Sequence, residues 1–191
     1  MDQKTLITQL KQGDETAFRQ LVEQYQSLVF NTILSMVQNA QDADDLSQEV
    51  FIEVYRSIAS FREDAKISTW LYRIASNKSL EYIRKKKTKK RFAFVKSLFT
   101  SDDEPDIQPS DFVHPGVELE NKERAEVLFR AIAKLSDNQR LAYTLHNIED
   151  LSYKEIAEVM QVSLSSVESL LFRAKQNLRK LLEEFYKEDY E

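Results

Sequence analysis

Apolar residues recur every three or four positions along most of the chain, which is the spacing of one face of an α-helix. In the first half, this spacing predicts four helices, which begin near Thr5, after Asp14, at Asp42, and at Ser68 or Thr69 as the N-cap. The chain has only two Gly and three Pro in 191 residues, and it has no long run of alternating β-branched and polar residues. The pattern therefore predicts an all-α protein.

The helical spacing is interrupted once, by a stretch of different composition. All three prolines lie between positions 100 and 120, beside one of the two glycines and a run of acidic residues. Such a composition predicts a flexible acidic linker between two small helical domains. The predicted boundaries are 1–99 for the first domain, 100–117 for the linker and 118–191 for the second domain.

The second domain contains a short helix, a tight turn and a longer helix. Ser152 and Glu155 form a capping box that opens the short helix, residues 161–163 make the connection, and the longer helix begins near Leu164. This order is typical of a helix-turn-helix, whose second helix enters the major groove of DNA. A plain helical hairpin is the alternative.

The outward face of the longer helix carries side chains that suit duplex DNA. Arg173 suits guanine or phosphate, Ser169 suits a base edge or phosphate, and Phe172 suits a thymine methyl group. Ser165 and Gln176 complete this face. The apolar residues of the same helix lie at spacings of four, three and four and are predicted to point inward.

The fourth helix joins aromatic and amide side chains to a basic end. Trp70 and Asn77 precede a dense run of cations that extends from Arg84 to Arg91. Cations hold phosphates and aromatic rings stack on bases, so this segment suits a nucleic-acid strand. An ordinary core helix with a solvated charged end is an equally good interpretation of the segment alone.

Charge is distributed unevenly along the chain. The net charge of −5 argues, taken alone, against a general nucleic-acid binder. Residues 1–91, however, hold 15 Lys and Arg against 12 Asp and Glu, whereas residues 92–191 hold 12 against 20. Segregation of this kind says more about partners than the total charge does.

The third helix has two contrasting faces. After a turn at Asn39, its apolar residues Leu46, Val50, Phe51 and Val54 are predicted to point inward. Acids early in a helix complement its dipole, but acids at this density also suit docking on a basic partner helix. The polar residues on the outward face are Asp42, Asp45, Gln48 and Glu49.

Several classes of chemistry are not supported by the residues present. The chain has no Cys, which excludes a disulfide, a thiol nucleophile and a Cys-based zinc site. His114 and His146 have no partner at ligand spacing, and there is no Gly-rich phosphate loop. We therefore expect no catalytic residue, no metal and no cofactor. We also expect no membrane insertion and a cytoplasmic location.

Five motifs follow one another in a characteristic order. They are GDETAF at 13–18, DADDLSQEVF at 42–51, STWLYRIASN at 68–77, LSYKEIAEVM at 151–160 and VESLLFRAKQNLR at 167–179. Together they resemble bacterial RNA polymerase sigma factors of the extracytoplasmic-function type, over nearly the whole chain. A stand-alone helix-turn-helix regulator is the alternative, but it needs neither an acidic docking helix nor a strand-binding segment.

The resemblance implies that the first domain binds core RNA polymerase and opens the promoter at the minus-ten element. Phe61 and its loop, with Asn77, would form a pocket for a base flipped out of single-stranded DNA. The residues implied to contact this strand are Phe61, Lys66, Trp70, Arg73, Asn77, Arg84, Lys85, Lys86 and Lys87. Those implied to dock on the coiled coil of the largest polymerase subunit are Asp42, Asp45, Gln48 and Glu49.

The second domain would read the minus-thirty-five element as duplex DNA, and an anti-sigma factor is a further possible partner. The chain departs from the family pattern at Glu168 and Leu170, where the family usually has basic residues, and at Gln161, where it often has Gly. We therefore expect weaker autonomous duplex binding or a different minus-thirty-five preference. The residues implied to contact duplex DNA are Ser165, Ser166, Ser169, Phe172, Arg173 and Gln176.

Overall fold

The structure, a computed structural model, describes residues 3–62, 65–99 and 122–188. These ranges form eight α-helices and one 3-10 turn, with no strand among them, which confirms the predicted all-α class with two helical domains. The linker predicted at 100–117 lies outside the described residues. The helices are α1 (Gln3–Lys11), α2 (Glu15–Val37), α3 (Ala40–Ser57), α4 (Ile67–Phe99), α5 (Lys122–Lys134), α6 (Asp137–Asn147), α7 (Tyr153–Met160) and α8 (Leu164–Glu188).

Helices α2 and α3 begin at side-chain caps. Asp14 Oδ1 accepts hydrogen bonds of 2.8 and 2.9 Å from two backbone N–H groups of the first turn of α2, as predicted. Asn39 Oδ1 accepts one of 2.8 Å from the N–H of Asp42. The helix therefore begins at Ala40, two residues before the start predicted at Asp42, while Asn39 lies outside the helix. Asn39 itself is the cap, because its amide oxygen satisfies an N–H that would otherwise have no partner.

Helix α4 begins before its predicted caps. Ile67 is the first helical residue and is completely buried, so Ser68 and Thr69 lie inside the first turn and neither of them is the N-cap. The carbonyl of Lys66 accepts the N–H of Trp70 at 3.2 Å, which closes that turn. Burial of an apolar side chain has fixed the helix start here, where the sequence pattern indicated hydroxyl capping.

The turn between α7 and α8 lacks glycine but adopts a backbone conformation that glycine favours. Gln161 has φ 56° and ψ 45°, in the left-handed region, and its N–H bonds to the carbonyl of Ala157. The predicted capping box of α7 is confirmed. Ser152 Oγ accepts the N–H of Glu155 at 3.3 Å, and Glu155 Oε2 accepts the N–H of Ser152 at 3.1 Å.

The core of the first domain lies between α2, α3 and α4, which pack against one another. Leu21, Ile33, Val50, Leu71 and Ala75 are completely buried there. Each of these three helices contributes an apolar stripe at helical spacing, and burial of such stripes is the main favourable term in folding. The outward faces of α3 and α4 are thereby fixed in relation to each other.

The cores of the two domains are continuous. Met36, Leu80 and Ile83 of the first domain lie in one buried cluster with side chains of α6, α7 and α8. Conversely, Phe129 and Ile132 of α5 belong to the cluster that forms the core of the first domain. We call the contact of α2 and α4 with α5, α6 and α7 the seam.

Buried hydrogen bonds cross the seam at the end of α2. Arg140, which is 8% exposed, donates across the seam from Nη1 to the carbonyl of Met36 at 2.9 Å, and within the second domain from Nε to the carbonyl of Ile132 at 3.2 Å. Gln38 donates from Nε2 to the carbonyl of Phe129 at 2.8 Å. A cation at the C-terminal end of α2 complements both its unpaired carbonyls and its dipole. Burial lowers the pKa of Arg140, and the charge of Asp137 opposes this shift.

A half-buried carboxyl group also lies in the seam. Tyr72 Oη of α4 donates to Glu149 Oε2 at 3.2 Å. Burial raises the pKa of Glu149 to about 7, and hydrogen bonds from Tyr72 and Thr32 partly counter the rise. Burial, followed by the charge of Glu149, also raises the pKa of the Tyr72 hydroxyl. The first domain therefore shields from water a carboxyl group that belongs to the second.

Replacing Gln161 with Gly is expected to raise the free energy of unfolding by about 0.5–1 kcal/mol, because Gly adopts the left-handed conformation without a Cβ clash. Urea denaturation measures the change. Gln176→Gly is the matched control, because Gln176 is exposed within α8. This control should lower the free energy of unfolding by about 0.5–1 kcal/mol. If both variants destabilise equally, Gln161 does not hold this conformation in solution.

Candidate nucleic-acid interfaces

A pocket of about 440 Å³ opens where α4 begins. The rings of Phe61 and Trp70 form its aromatic wall, with centroids 5.0 Å apart and planes inclined at 47°. An aromatic wall beside an Arg side chain can stack a base and hold its phosphate. The residues that line the pocket are Ser60, Phe61, Arg62, Ala65, Thr69, Trp70, Arg73 and Glu158.

Two buried isoleucines hold the pocket wall in place. Ile58 begins the 3-10 turn that follows α3 and is 6% exposed, while Ile67 is the first residue of α4 and is completely buried. Between them, the N–H of Phe61 bonds to the carbonyl of Ile58 at 3.0 Å. Phe61 is therefore both a core residue, 5% exposed, and part of the pocket.

The residues predicted to contact a single strand are only partly brought together. Phe61, Trp70 and Arg73 line the pocket, whereas Lys66 and Asn77 are exposed and are not part of its lining. Trp70, Arg73 and Asn77 are spaced at i, i+3 and i+7, so they share one face of α4. A strand that leaves the pocket along α4 would therefore meet Asn77 next.

The basic stretch beyond this face is exposed, and its first four cations, Arg84 to Lys87, are paired with acids. Lys85 Nζ lies 2.7 Å from Glu81 Oε1, which raises the pKa of Lys85. Lys86 Nζ lies 3.2 Å from Asp42 Oδ2 and also donates to Tyr82 Oη at 3.1 Å. Exposed pairs of this kind are each worth about 0–1 kcal/mol, so a phosphate can displace the acid.

Three further ion pairs reach across to the second domain. Lys87 Nζ lies 2.6 Å from Asp137 Oδ1, and Arg84 Nε lies 4.0 Å from Asp137 Oδ2. Lys66 Nζ lies 3.0 Å from Glu155 Oε1. The hydrogen bond from Lys66, followed by those from Ser152, lowers the pKa of Glu155 to about 2.

The acidic face predicted on α3 is present and points outward. Asp45, Gln48 and Glu49 are exposed. Gln48 Nε2 donates to Asp44 Oδ2 at 3.3 Å, and Glu49 Oε2 lies 3.4 Å from Lys78 Nζ. Asp42 is half-buried under Lys86. The face is therefore available to a cationic partner, except where α4 already neutralises it.

A groove of about 470 Å³ between α2 and α3 borders this acidic face, and the sequence pattern did not reveal it. Phe51 was predicted to point inward, but it is half-buried and lines the groove. Val50 and Val54 occupy the core face of α3, and Phe51 is rotated from Val50 by about 100°. The lining residues are Val22, Gln26, Ser27, Phe30, Asn31, Asp44, Ser47, Gln48 and Phe51.

Helix α8 separates an apolar inner face from an outer face, as predicted. Its inner residues are 4% exposed or less: Val167, Leu171, Ala174 and Leu178. On the outer face, Phe172 is 64% exposed although it is apolar. An apolar ring held in water is available for contact with a partner. The other predicted duplex-contacting residues that are exposed are Ser165, Ser169, Arg173 and Gln176.

Three residues at the start of α8 depart from the simple two-face pattern. Ser166 is half-buried, and its N–H bonds to Ser163 Oγ at 3.2 Å, so Ser163 caps the helix. Leu170 is half-buried against the core of the second domain, which gives it a packing role. Glu168 is exposed among the predicted DNA-contacting residues and places a negative charge there.

The described residues contain no group of three or more His, Cys, Asp or Glu side chains able to hold a metal ion. His146 has a packing role, because Nδ1 lies 3.0 Å from the carbonyl of Leu151 and the ring meets Tyr153 edge to face. His114 lies outside the described residues. None of the helices in the described ranges is both long and apolar enough to cross a membrane.

Two family models match the chain, each on one helical domain. The model for sigma-70 region 2 matches residues 21–89, which include the acidic face, most of the basic stretch and every residue lining the aromatic pocket except Glu158. The model for sigma-70 region 4 matches residues 125–178 and includes the helix-turn-helix. The residues between the two matches contain the predicted linker.

Known proteins resemble the chain over nearly its whole length. The RNA polymerase sigma-H factor of Pseudomonas aeruginosa is 33% identical, over 96% of this chain and 95% of its own. The ECF RNA polymerase sigma factor SigW of Bacillus subtilis is 34% identical, over 94% and 96%. The ECF RNA polymerase sigma-E factor of Escherichia coli is 32% identical, over 91% and 90%.

Two solved structures share the fold. CnrH, in complex with the cytosolic domain of CnrY, superposes with a TM-score of 0.66 over 94% of this chain and 96% of its own, at 23% identity. RpoE of Bartonella quintana, in complex with the anti-sigma factor NepR, superposes with a TM-score of 0.63 over 87% and 96%, at 21% identity.

Proposed function

Since this chain belongs to the sigma-70 family, as an ECF RNA polymerase sigma factor, we propose that it binds core RNA polymerase and directs initiation at specific promoters. Members of this family are non-enzymatic initiation factors. Its work would be done in the cytoplasm, where the polymerase is. The observation that carries the proposal is one helix, α4, whose aromatic pocket leads along a shared face to an exposed basic stretch.

The pocket would take one base of the minus-ten element. Extruding a base from the duplex costs roughly a few kcal/mol. Stacking on an aromatic side chain offsets about 1–3 kcal/mol of this cost per base. Phe61 and Trp70 supply the stacking surface, and Arg73 at the rim would hold the adjoining phosphate. Asn77, one turn further along α4, would hydrogen-bond the next base or its sugar. The basic stretch would hold phosphates downstream.

Asn77→Ala and Phe61→Leu are each expected to reduce promoter opening by about five- to a hundredfold, which corresponds to the loss of one stacked or hydrogen-bonded base. Phe61→Leu keeps an apolar side chain in the core. Permanganate reactivity of unpaired thymines measures opening in the presence of core polymerase, and co-purification measures polymerase binding, which should be unchanged. Gln24→Ala, an exposed amide on α2, is the control. Normal opening by both variants would remove the pocket from the mechanism.

The acidic face of α3 and the neighbouring groove would together form the docking surface for polymerase. Asp45 and Glu49 offer negative charge to a basic helix, and charge complementarity speeds and orients docking. The groove beside them, with Phe30 and Phe51 in its wall, is suited to apolar side chains of the same partner helix. Ile52 and Tyr55 extend the apolar surface along α3, at 50% and 55% exposure.

The double variant Asp45→Lys/Glu49→Lys should weaken binding to core polymerase by about tenfold or more, because two attractive charge contacts become repulsive. Titration of labelled protein with core polymerase, without DNA, measures the dissociation constant. Glu168→Lys/Glu183→Lys has the same change in net charge on α8 and should bind normally. Equal affinities for wild type and the α3 variant would place the docking surface elsewhere.

Helix α8 would read the minus-thirty-five element as duplex DNA. Arg173 would contact guanine or phosphate, Ser169 a base edge, and Phe172 a thymine methyl group. Glu168 would repel the DNA backbone, so we propose that this domain binds its site weakly until polymerase holds it in place.

Glu168→Lys is expected to tighten binding to promoter duplex and to steepen its salt dependence by about one phosphate contact. Arg173→Ala is expected to weaken binding to the duplex and to make its salt dependence less steep. Glu183→Lys makes the same charge change further along α8 and serves as control. Fluorescence anisotropy at several salt concentrations measures both the affinity for the duplex and the slope of that affinity with salt concentration. If Glu168→Lys and its control behave alike, residue 168 does not face the DNA.

The docking surface on α3 and its neighbouring groove would also be a target for an anti-sigma factor. RpoE of Bartonella quintana, which shares this fold, is in complex with the anti-sigma factor NepR. A protein that covered the groove and the exposed residues of α3 would exclude polymerase by direct competition.

A further inference from the structure

Glu168 lies on the outer side of α8 without a cationic neighbour on its own helix. It follows Leu164, the first residue of α8, by four positions, and it is exposed. The positions three and four residues away from it hold only Ser, Leu and Phe, so no Lys or Arg is at the spacing of a helical ion pair. Within the described ranges, its side chain makes no hydrogen bond or ion pair. The carboxylate is therefore open to a partner from outside the chain.

Exposed apolar side chains flank Glu168 along the helix. Leu164 and Phe172 lie about one turn before and one turn after it, and they are 49% and 64% exposed. Large apolar groups held in water suit contact with a partner. We call Leu164, Glu168 and Phe172 the reading strip, which extends about 12 Å along the axis of α8.

The first turns of α8 hold the reading strip in place. Ser163 Oγ accepts the N–H of Ser166 at 3.2 Å and lies 2.8 Å from its hydroxyl oxygen. Val167 is completely buried and Leu171 is 1% exposed, so they anchor the inner side of the helix at the same level. In a helix-turn-helix, the N-terminal residues of the second helix are those that contact base edges. Glu168 is therefore placed to meet a base and not only the phosphates.

The chemistry of a carboxylate distinguishes the four bases. Its oxygens only accept hydrogen bonds. In the major groove, guanine presents two acceptors, and thymine presents an acceptor and a methyl group, so neither offers a donor. Adenine presents a donor beside the N7 acceptor, whereas cytosine presents the N4 amino group with no acceptor of its own beside it. Cytosine is therefore the base that a carboxylate fits best, as thymine is the base that an apolar side chain fits best.

We propose that Glu168 is a specificity-determining residue, which accepts a hydrogen bond from the N4 amino group of a cytosine in the minus-thirty-five element. Leu164 and Phe172 then contact thymine methyl groups within about two base pairs of this cytosine, since four helical residues rise about 6 Å and base pairs are about 3.4 Å apart. This inference rests on the proposed function, because it takes α8 to be the helix that enters the major groove. Repulsion of phosphates by Glu168 weakens binding to every sequence, and the cytosine offsets that repulsion at the correct site.

The test changes the hydrogen-bonding groups at residue 168 and measures the base preference that results. Glu168→Gln keeps the size of the side chain but adds a donor, so it should favour adenine, which Gln meets at N6 and N7. Glu168→Lys offers only donors and should favour guanine. The controls are Glu183→Gln and Glu183→Lys, which make the same charge changes at an exposed position further along α8. Circular dichroism establishes that all variants are folded.

Base preference is measured with the full-length protein bound to core polymerase. The DNA is a promoter fragment from which wild type initiates, with its minus-thirty-five element randomised and its minus-ten element kept, and it is sequenced before and after selection for binding. At one position, wild type and both controls should enrich cytosine about fivefold or more, which corresponds to the cost of one mismatched base pair. At that same position, Glu168→Gln should enrich adenine and Glu168→Lys should enrich guanine. Leu164→Ala/Phe172→Ala should keep the cytosine and lose the enrichment of thymine beside it.

The possible failures can be told apart. If wild type and Glu168→Gln select the same base at every position, or if the Leu164→Ala/Phe172→Ala variant keeps its thymines, the inference is overturned. The proposed function would survive that result, because the protein with polymerase still selects its DNA. If wild type with core polymerase initiates from no promoter, or selects no base in the randomised element, the proposed reading of duplex DNA and the inference fail together.

Discussion

Burial of helix α4 on two sides is the constraint on which the rest of the structure depends. Leu71 and Ala75 are completely buried in the core of the first domain, whereas Leu80 and Ile83, further along the same helix, enter the cluster shared with the second domain. A helix buried in this way has only a narrow strip left for polar groups. The aromatic pocket, Asn77 and the basic stretch all lie on α4 or against it, so the packing of one helix would set the path of a strand bound as we propose.

Local chemistry made part of this arrangement predictable from the sequence. The capping box of α7, the cap at Asp14 and the inner face of α8 depend on residues a few positions apart, and all three were predicted correctly. The start of α4 was not predicted correctly, because it depends on the burial of Ile67 and not on a capping side chain. The groove beside Phe51 and the position of Glu158 at the pocket were also missed, since each depends on contacts between distant segments.

The two domains are held together by one kind of force and aligned by another. Apolar side chains, the buried bond of Arg140 to Met36 and the half-buried bond of Tyr72 to Glu149 provide attraction across the seam. The exposed ion pairs above them add about 0–1 kcal/mol each and exchange readily with other charges. An arrangement of this kind is stable in the free protein, yet a larger partner that covers the same apolar surface can open it.

The claim at the centre of this account is that the chain gives core RNA polymerase its choice of start site. The most direct measurement is sequencing of the 5′ ends of transcripts made in vitro by core polymerase on fragmented genomic DNA, with and without this protein. The account predicts a discrete set of start sites that appears only with the protein, each preceded by shared minus-ten and minus-thirty-five elements. An identical, scattered set of ends in both reactions would contradict it.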